Sequence, residues 1–340
     1  MTAPSSIVQS PGVAEALDTG GTDARPDVSV VIVHYETPEL LARCLEALKA
    51  SEAPPRLEVF VVDNGSTRFS ALDARLAFPG IRVIENQENL GFSRASNQGL
   101  RLARGRYLLL LNPDAFVAPE TLRVMTAYMD ERPDVGCATC RLEMPDGSLD
   151  VACRRLFPTP SRSLFRVTML SKLFPRHRTL AQYNMTYANE WVETEIDQPC
   201  GAFMMVRSKV ADSIGLLSER YFMYCEDTDW AYRIKQAGWR IMYTPITSTV
   251  HLRGQSSSQN RARAIRDFHA GMRIFYDDHY RHQYSPAVTV VVQLAIGLRE
   301  RLQLAGAWLR ARRPRRWTRR DSAADGPRKL AAYGIRHDKQ

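Results

Sequence analysis

Apolar residues first gather in one continuous, β-branched run, Val28-Ser-Val-Val-Ile-Val-His34. A run without polar alternation predicts a strand buried on both faces, the kind found in parallel sheets. Thr37-Pro38-Glu39 follows with a cap residue, a proline for the first turn and an acid. Leu40, Leu41, Cys44, Leu45 and Leu48 then recur on one helical face. The alternation repeats. Leu57 to Asp63 predicts a second strand, stopped by the turn cluster Asn64-Gly65-Ser66-Thr67. A helix over about 69–77, a strand from Ile81 to Glu85, a loop from Asn86 to Phe92 and a helix from Ser93 to Ala103 come next, with Gly105 closing that helix. A fourth strand, Arg106 to Leu111, runs into Asn112-Pro113-Asp114. This β-α-β-α-β-α-β order predicts an α/β fold with a doubly wound, mostly parallel sheet. Ligands of such sheets bind beyond the carboxyl ends of the strands. Those ends here carry His34-Tyr35-Glu36, Asp63-Asn64 and Asn112-Pro113-Asp114.

Past this half, residues 119–130 predict a helix, and 134–152 a strand and a hairpin through Pro145-Asp146-Gly147. Residues 154–195 are rich in Arg, aromatics and Pro without a period, and read as a variable loop or insertion. Cys200 to Arg207 predicts a strand, Ser208 to Ile214 a short helix, Glu226 to Ala237 a helix closed by Gly238, and Arg240 to Thr244 a strand. The strand-like run Ile246 to Val250 leads to His251. Between Val288 and Leu309 apolar residues recur at spacings of three and four with Arg between them, and Arg310 to Arg320 is basic. This reads as an interfacial amphipathic helix with a polybasic end. The expected organisation is a disordered leader over 1–27, a folded body over 28–285 with halves 28–118 and 119–285, a basic helical extension over 286–320 and a flexible tail over 321–340.

Composition narrows the classes. The chain has 340 residues, 44% hydrophobic and 24% charged, with net charge +9. Nine Arg stand between Arg299 and Arg320 against the one acid Glu300, so the basic excess is largely C-terminal. It suits phosphate-rich partners, and an anionic membrane surface fits better than nucleic acid because the body lacks a nucleic-acid-binding module. Cys137 and Cys140 form a C-x-x-C, but no second close pair or His pair accompanies it, so a zinc site is not expected. Buried free thiols fit a reducing cytoplasm. The first 27 residues lack the charged and apolar regions of a signal peptide. The most apolar stretch, Ala287 to Leu298, is too short to span a membrane. The expected location is therefore cytoplasmic, peripheral on the inner face of the cell membrane.

The candidate chemistry lies in carboxylates. Asp63 ends a strand, where it can accept hydrogen bonds from a base or a ribose. Asp114 follows four leucines and needs a partner; a hard cation, Mg2+ or Mn2+, bound to a diphosphate would serve. Glu226-Asp227-Thr228-Asp229 gathers three acids at a helix start, after the apolar lead-in Tyr221-Phe-Met-Tyr-Cys225. The helix dipole tolerates acids there, and a partly buried carboxylate beside others is a candidate general base. Arg253 and the serines after His251 form a polar segment suited to a diphosphate.

Taken together, Val28–His34 with Tyr35-Glu36-Thr37-Pro38, Val61-Val-Asp-Asn-Gly-Ser66, Glu88-Asn-Leu-Gly-Phe92, Ala95-Ser-Asn-Gln-Gly99, Gly105 to Asp114, Gly201-Ala-Phe, Glu226-Asp-Thr-Asp-Trp230 and His251 resemble glycosyltransferase family 2. The Asn-Leu-Gly-Phe and Asn-Pro-Asp forms resemble its rhamnosyltransferases. The resemblance implies an inverting glycosyltransferase of the GT-A fold, with a Rossmann-like nucleotide-binding half and an acceptor-binding half. It implies a nucleotide-diphosphate sugar donor, dTDP-L-rhamnose first with a UDP- or GDP-hexose as the alternative, and a glycan or polyprenyl-diphosphate-linked acceptor. It assigns the catalytic base to Asp227 with Glu226 beside it, and the metal to Asp114 and His251. Nucleotide-sugar contacts fall to His34, Tyr35, Glu36, Asp63, Asn89, Gly91, Asn97, Asn112 and Arg253. Asn112 replaces the first acid of the family's D-x-D motif, leaving one carboxylate fewer. A sugar nucleotidyltransferase would need a Gly-rich, basic loop where His34 to Pro38 stands.

Overall fold

The computed structural model describes residues 25–253 and 260–312. Most of the expected leader, the serine segment after Arg253, the basic run from Arg313 and the tail lie outside the described residues.

The first half follows the expected alternation. β1 (Val28–His34), α1 (Pro38–Lys49), β2 (Leu57–Asp63), α2 (Ala71–Ala77), β3 (Arg82–Glu85), α3 (Phe92–Leu102) and β4 (Tyr107–Leu111) build a parallel unit in the order β3-β2-β1-β4. Every residue of β1 and β4 is buried, which is why both read as unbroken apolar runs. Thr37 stands at the start of α1 but does not cap it. Its hydroxyl lies 3.3 Å from His34 Nδ1 instead.

The second half departs from a simple parallel winding. It comprises β5 (Ala115–Val117), α4 (Thr121–Asp130), β6 (Val135–Glu143), a 3-10 turn (Val151–Cys153), α5 (Pro160–Val167), α6 (Leu170–Leu173), β7 (Thr194–Glu195), β8 (Phe203–Arg207), α7 (Ser208–Ile214), α8 (Glu226–Gln236), β9 (Arg240–His251), α9 (Arg261–His279) and α10 (Pro286–Arg312). The sheet continues β4-β8-β6-β9-β5, and β7 pairs with β9. β8 is antiparallel to both β4 and β6, while β6 and β9 are parallel. The result is one mixed α/β sheet with a C-terminal helical region.

Two expectations change. The strands over 240–244 and 246–250 are one strand, β9. Its register with β6 shifts between Cys140 and Arg141, whose partners are Thr244 and Ser248, and this irregularity lets the chain pass Pro245. The aperiodic 154–195 stretch contains the short helices α5 and α6.

The antiparallel insertion of β8 has a positional consequence. Leu111 at the carboxyl end of β4 pairs with Phe203 at the start of β8. Asp63 pairs with His34, and Ala115 with His251. The carboxyl ends of β1, β2, β4, β6 and β9 and the beginning of β8 therefore share one sheet edge. Trp230, Tyr243, Phe60 and Phe203 fill the core beneath it. Each such burial contributes roughly 1.5–3 kcal/mol, so the edge rests on a firm base.

Candidate active site

One side of the edge is built by β1 and β2. His34 is fully buried, and its Nε2 lies 3.8 Å from Asp63 Oδ1. Burial holds the imidazole below its usual value, against the pull of Asp63 and Glu36. Asp63 accepts from the Ser66 amide through Oδ2 at 3.1 Å, while its buried Oδ1 has no hydrogen-bond partner. A buried carboxylate oxygen left open at a strand end suits a ligand donor. Glu36, in the left-handed region at φ 55°, accepts from the amide and hydroxyl of Thr67 and so closes the loops after β1 and β2 on one another. Tyr35 is half-buried beside it.

Three residues expected to contact the ligand also make structural contacts. Asn97 is buried, and its amide is spent on the backbone of Leu217 and on Glu219, so it ties α3 to the loop before α8. Asn89 Oδ1 accepts from Asn64 and from the Gly91 amide, which shapes the loop. Gly91 has φ 86°, and a Cβ there would sit 2.6 Å from the Phe222 carbonyl oxygen. Its lack of a side chain serves that close approach.

Two strand spacings from Asp63, about 10 Å, β4 ends at half-buried Asn112, followed by buried Asp114. His251, the last residue of β9, brings Nε2 to 3.5 Å from Asp114 Oδ1. Its Nδ1 lies 2.9 Å from Asp150 Oδ2, and Arg253 donates to the other Asp150 oxygen at 3.2 Å. Burial pushes His251 down, but the bonds and charges of Asp114 and Asp150 outweigh it and hold the ring up at about 9. Burial raises Asp150, yet His251, the Ala152 amide and Arg253 keep it below the usual carboxylate range.

This arrangement fits a divalent cation. A carboxylate and an imidazole converge, and a second carboxylate orients the ring from behind, as outer-shell partners of metal-bound histidines do. Among the described residues no three His, Cys, Asp or Glu groups converge to hold an ion. The donor set therefore suits an ion that takes its remaining ligands from a diphosphate and water.

On the far side of β4 stands the elbow before α8. Tyr224 and Cys225 both adopt left-handed backbone, at φ 71° and 68°, and turn the chain so that Glu226 and Asp227 open the helix. Asp227 Oδ2 accepts from Arg155 and from the Gly201 amide, each at 3.3 Å, and Oδ1 from the Thr228 amide at 2.7 Å. Because the Asn112 amide donates to Ala202, Gly201 links Asp227 to the β4 end. Glu226 is buried with Oε2 unpartnered; burial first, and then the charge of Asp227, raise it to about 8. Asp229 faces away, bound to Arg233 and to His279 of α9. The edge thus brings together His34, Asp63, Asn112, Asp114, His251, Arg253, Glu226 and Asp227.

Two contributors are invisible in the sequence. Asp150 sits after a polar hairpin with no motif around it. Arg155 lies in the aperiodic stretch, and its only signal is its place as the second of two adjacent arginines beside Cys153.

The family model for glycosyl transferase family 2 matches residues 29–215. An N-acetylglucosaminyl-diphospho-decaprenol L-rhamnosyltransferase of Mycobacterium tuberculosis is 26% identical, covering 86% of this chain and 96% of its own. The rhamnosyltransferase WbbL of Escherichia coli is 24% identical over 66% of this chain and 83% of its own. Among solved structures, the mannosyltransferase PcManGT from Pyrobaculum calidifontis in complex with GDP-Man and Mn2+ has the same fold, with TM-score 0.53 at 19% identity over 92% of this chain and 80% of that one. GalNAc-T7 with UDP, GalNAc and Mn2+ gives TM-score 0.52 at 17% identity over 75% of this chain and 48% of that one. A match over more than half of the chain, on a sheet of the GT-A kind, makes this chain a member of glycosyl transferase family 2, and so a glycosyltransferase.

Proposed function

We propose that this chain transfers L-rhamnose from dTDP-L-rhamnose, with inversion, to a polyprenyl-diphosphate-linked or polysaccharide acceptor in cell-wall or surface-glycan assembly. It works at the cytoplasmic face of a membrane whose anionic lipids attract the C-terminal helix and its basic end. One observation carries the reading: an open carboxylate oxygen on Asp63, the Asp114–His251 pair and the Asp227 elbow share one sheet edge. The rhamnosyl donor and the lipid-linked acceptor are supported by the M. tuberculosis and E. coli relatives. Among the described residues no helix is long and apolar enough to cross a membrane.

His34, Tyr35, Glu36 and Asp63 hold the nucleoside, and Asn112 borders the diphosphate. Asp114 and His251 would hold Mg2+ or Mn2+ against that diphosphate. When bound, the ion neutralises charge that builds on the departing group. Arg253, tethered to Asp150, adds a cation to the same side. Asp227 takes the proton of the acceptor hydroxyl as that oxygen attacks the anomeric carbon, and the bond from that carbon to the diphosphate breaks. Arg155 and the Gly201 amide orient Asp227. Glu226, kept protonated by burial, leaves a single negative charge at the elbow.

The test is nucleoside diphosphate release by the full chain from dTDP-rhamnose, UDP-glucose and GDP-mannose, with and without Mn2+. The reading expects dTDP-rhamnose to lead by at least ~10-fold and Mn2+ to stimulate. A leading UDP- or GDP-sugar overturns the donor; no release from any overturns the reaction.

A further inference from the structure

Residues 151–189 contain seven Lys or Arg and no Asp or Glu. In the fold this stretch makes α5, α6 and the turns after them, which surround a cavity of about 360 Å3 lined by Arg166, Ser171, Lys172, Tyr183, Asn184 and Thr186 among others. No acid lines it. Arg166 stacks over the Tyr183 ring at 4.5 Å. Neither Arg166 nor Lys172 forms an ion pair among the described residues; Arg299 of α10 lies outside the lining, its guanidinium on Met272 Sδ and the Phe268 ring. Burial first, and then the nearby charge of Arg166, push Arg299 below its usual value. Two uncompensated cations and several hydroxyl and amide groups around one concavity call for a compact polyanion.

The cavity is joined to the reaction centre. Tyr183 lies near enough for its charge to favour that of Arg155, and Arg155 pairs with Asp227 at 3.3 Å. Burial opposes the charge on Arg155, but Tyr183 and Asp227 outweigh it. One tyrosine thus separates the cationic cavity from the residue holding the proposed base.

The surroundings are apolar where a soluble protein would be polar. Leu164, Val167, Leu173 and Phe174 are exposed on α5 and α6. α10 turns a mixed face inward: Gln293 donates to Asp277, Arg273 donates to Glu300 and Thr289 bonds the Tyr276 hydroxyl, beside buried Ile296 and partly buried Val292. Its exposed face carries Val291, Leu294, Leu298, Leu302 and Leu309. Such a face with basic neighbours matches an anionic bilayer. A second copy pressed against it would bring like charges together.

The geometry points to this cavity as the binding site for the diphosphate head of an amphiphilic acceptor, whose chain runs into the bilayer along the outward faces of α5, α6 and α10. The assignment rests on the transfer reaction proposed above and names the part of the acceptor that this chain grips. With the head held here, a sugar beyond the diphosphate extends toward Asp227.

The test compares the full chain with an Arg166→Ala/Lys172→Ala variant; both side chains are exposed, so the fold tolerates their loss. Calorimetry with farnesyl diphosphate and farnesol is expected to show the variant at least ~10-fold weaker for the diphosphate and no different for the alcohol. In transfer assays, preference for a polyprenyl-diphosphate-linked sugar over the octyl glycoside of the same sugar is expected to fall by a similar factor. Equal farnesyl diphosphate affinity in the two proteins, or an equal rise in KM for both acceptors, overturns the site. Competition by phosphatidylglycerol vesicles as strong as that of farnesyl diphosphate overturns its assignment to the acceptor. Retained binding in a chain that transfers no sugar sinks the reaction and leaves the site standing.

Discussion

Asp150 Oδ2 lies 2.9 Å from His251 Nδ1, joining a motif-free hairpin to the last residue of β9. The contact sets the ring so that Nε2 faces Asp114. Removing such an outer partner typically lowers metal affinity 10–100-fold. Asp150→Asn is therefore expected to raise the Mn2+ concentration for half-maximal activity by about 10-fold or more, with turnover largely recovered at saturating Mn2+. An unchanged Mn2+ requirement would show that His251 is oriented without Asp150, or that it holds no metal.

Asp227 makes contacts that aim it, and it is the only acid of the elbow bound by both Arg155 and the Gly201 amide among the described residues. Asp227→Asn keeps the shape and removes the base. Its turnover should fall at least ~10^2-fold, with donor KM and circular dichroism unchanged. Near-normal turnover would remove Asp227 from the role and leave Glu226 to be tested next.

Glu226 gives a stability signature that can be read without substrate. Its carboxyl titrates at about 8 in the folded protein because burial and Asp227 oppose its charge, against an ordinary value of 4.5. Between those values the folded chain binds a proton that the unfolded chain has released, so stability falls as pH rises through this window. Glu226→Gln mimics the protonated acid and escapes the penalty. The variant's Tm should match wild type near pH 4.5 and exceed it by at least about 2 °C above pH 8. A difference that does not vary with pH would mean Glu226 ionises freely in the fold.

The sequence shows the first half clearly because burial on both faces leaves no polar interruptions in β1 and β4, and turn residues mark where they end. Strand ends alone therefore place His34, Asp63 and Asp114. The direction of β8 is not legible, since an antiparallel strand buried between β4 and β6 has the same apolar composition as a parallel one. Pro245 hides the continuity of β9, which depends on its pairing with β6. Asn97 resembles a ligand contact because a buried, satisfied amide and a waiting one read alike in sequence; only Leu217 and Glu219, over a hundred residues away, distinguish them. α5 and α6 are hard to read because they are short and bury no residue of their own.

The elbow itself is held by α9, a helix with no candidate chemistry. A Cβ on Gly271 would sit 2.7 Å from the Tyr224 carbonyl oxygen and 3.2 Å from Cys225 Cβ, so α9 presses its backbone against the two left-handed residues that aim Glu226 and Asp227. Left-handed backbone at such residues costs of order 1–3 kcal/mol each and persists only where surroundings enforce it. His279, from the last turn of α9, clamps Asp229 at 2.8 Å and fixes α8 relative to that contact. Gly271→Ala must move the elbow, because the obstructing atoms are backbone and a short side chain. It should cost about 1–3 kcal/mol of stability and at least ~10-fold in turnover, while donor binding at Asp63 on the opposite side of β1 stays as it was. Loss of stability with full turnover would mean that the elbow keeps its aim without α9, and the Gly271 contact would then serve folding alone.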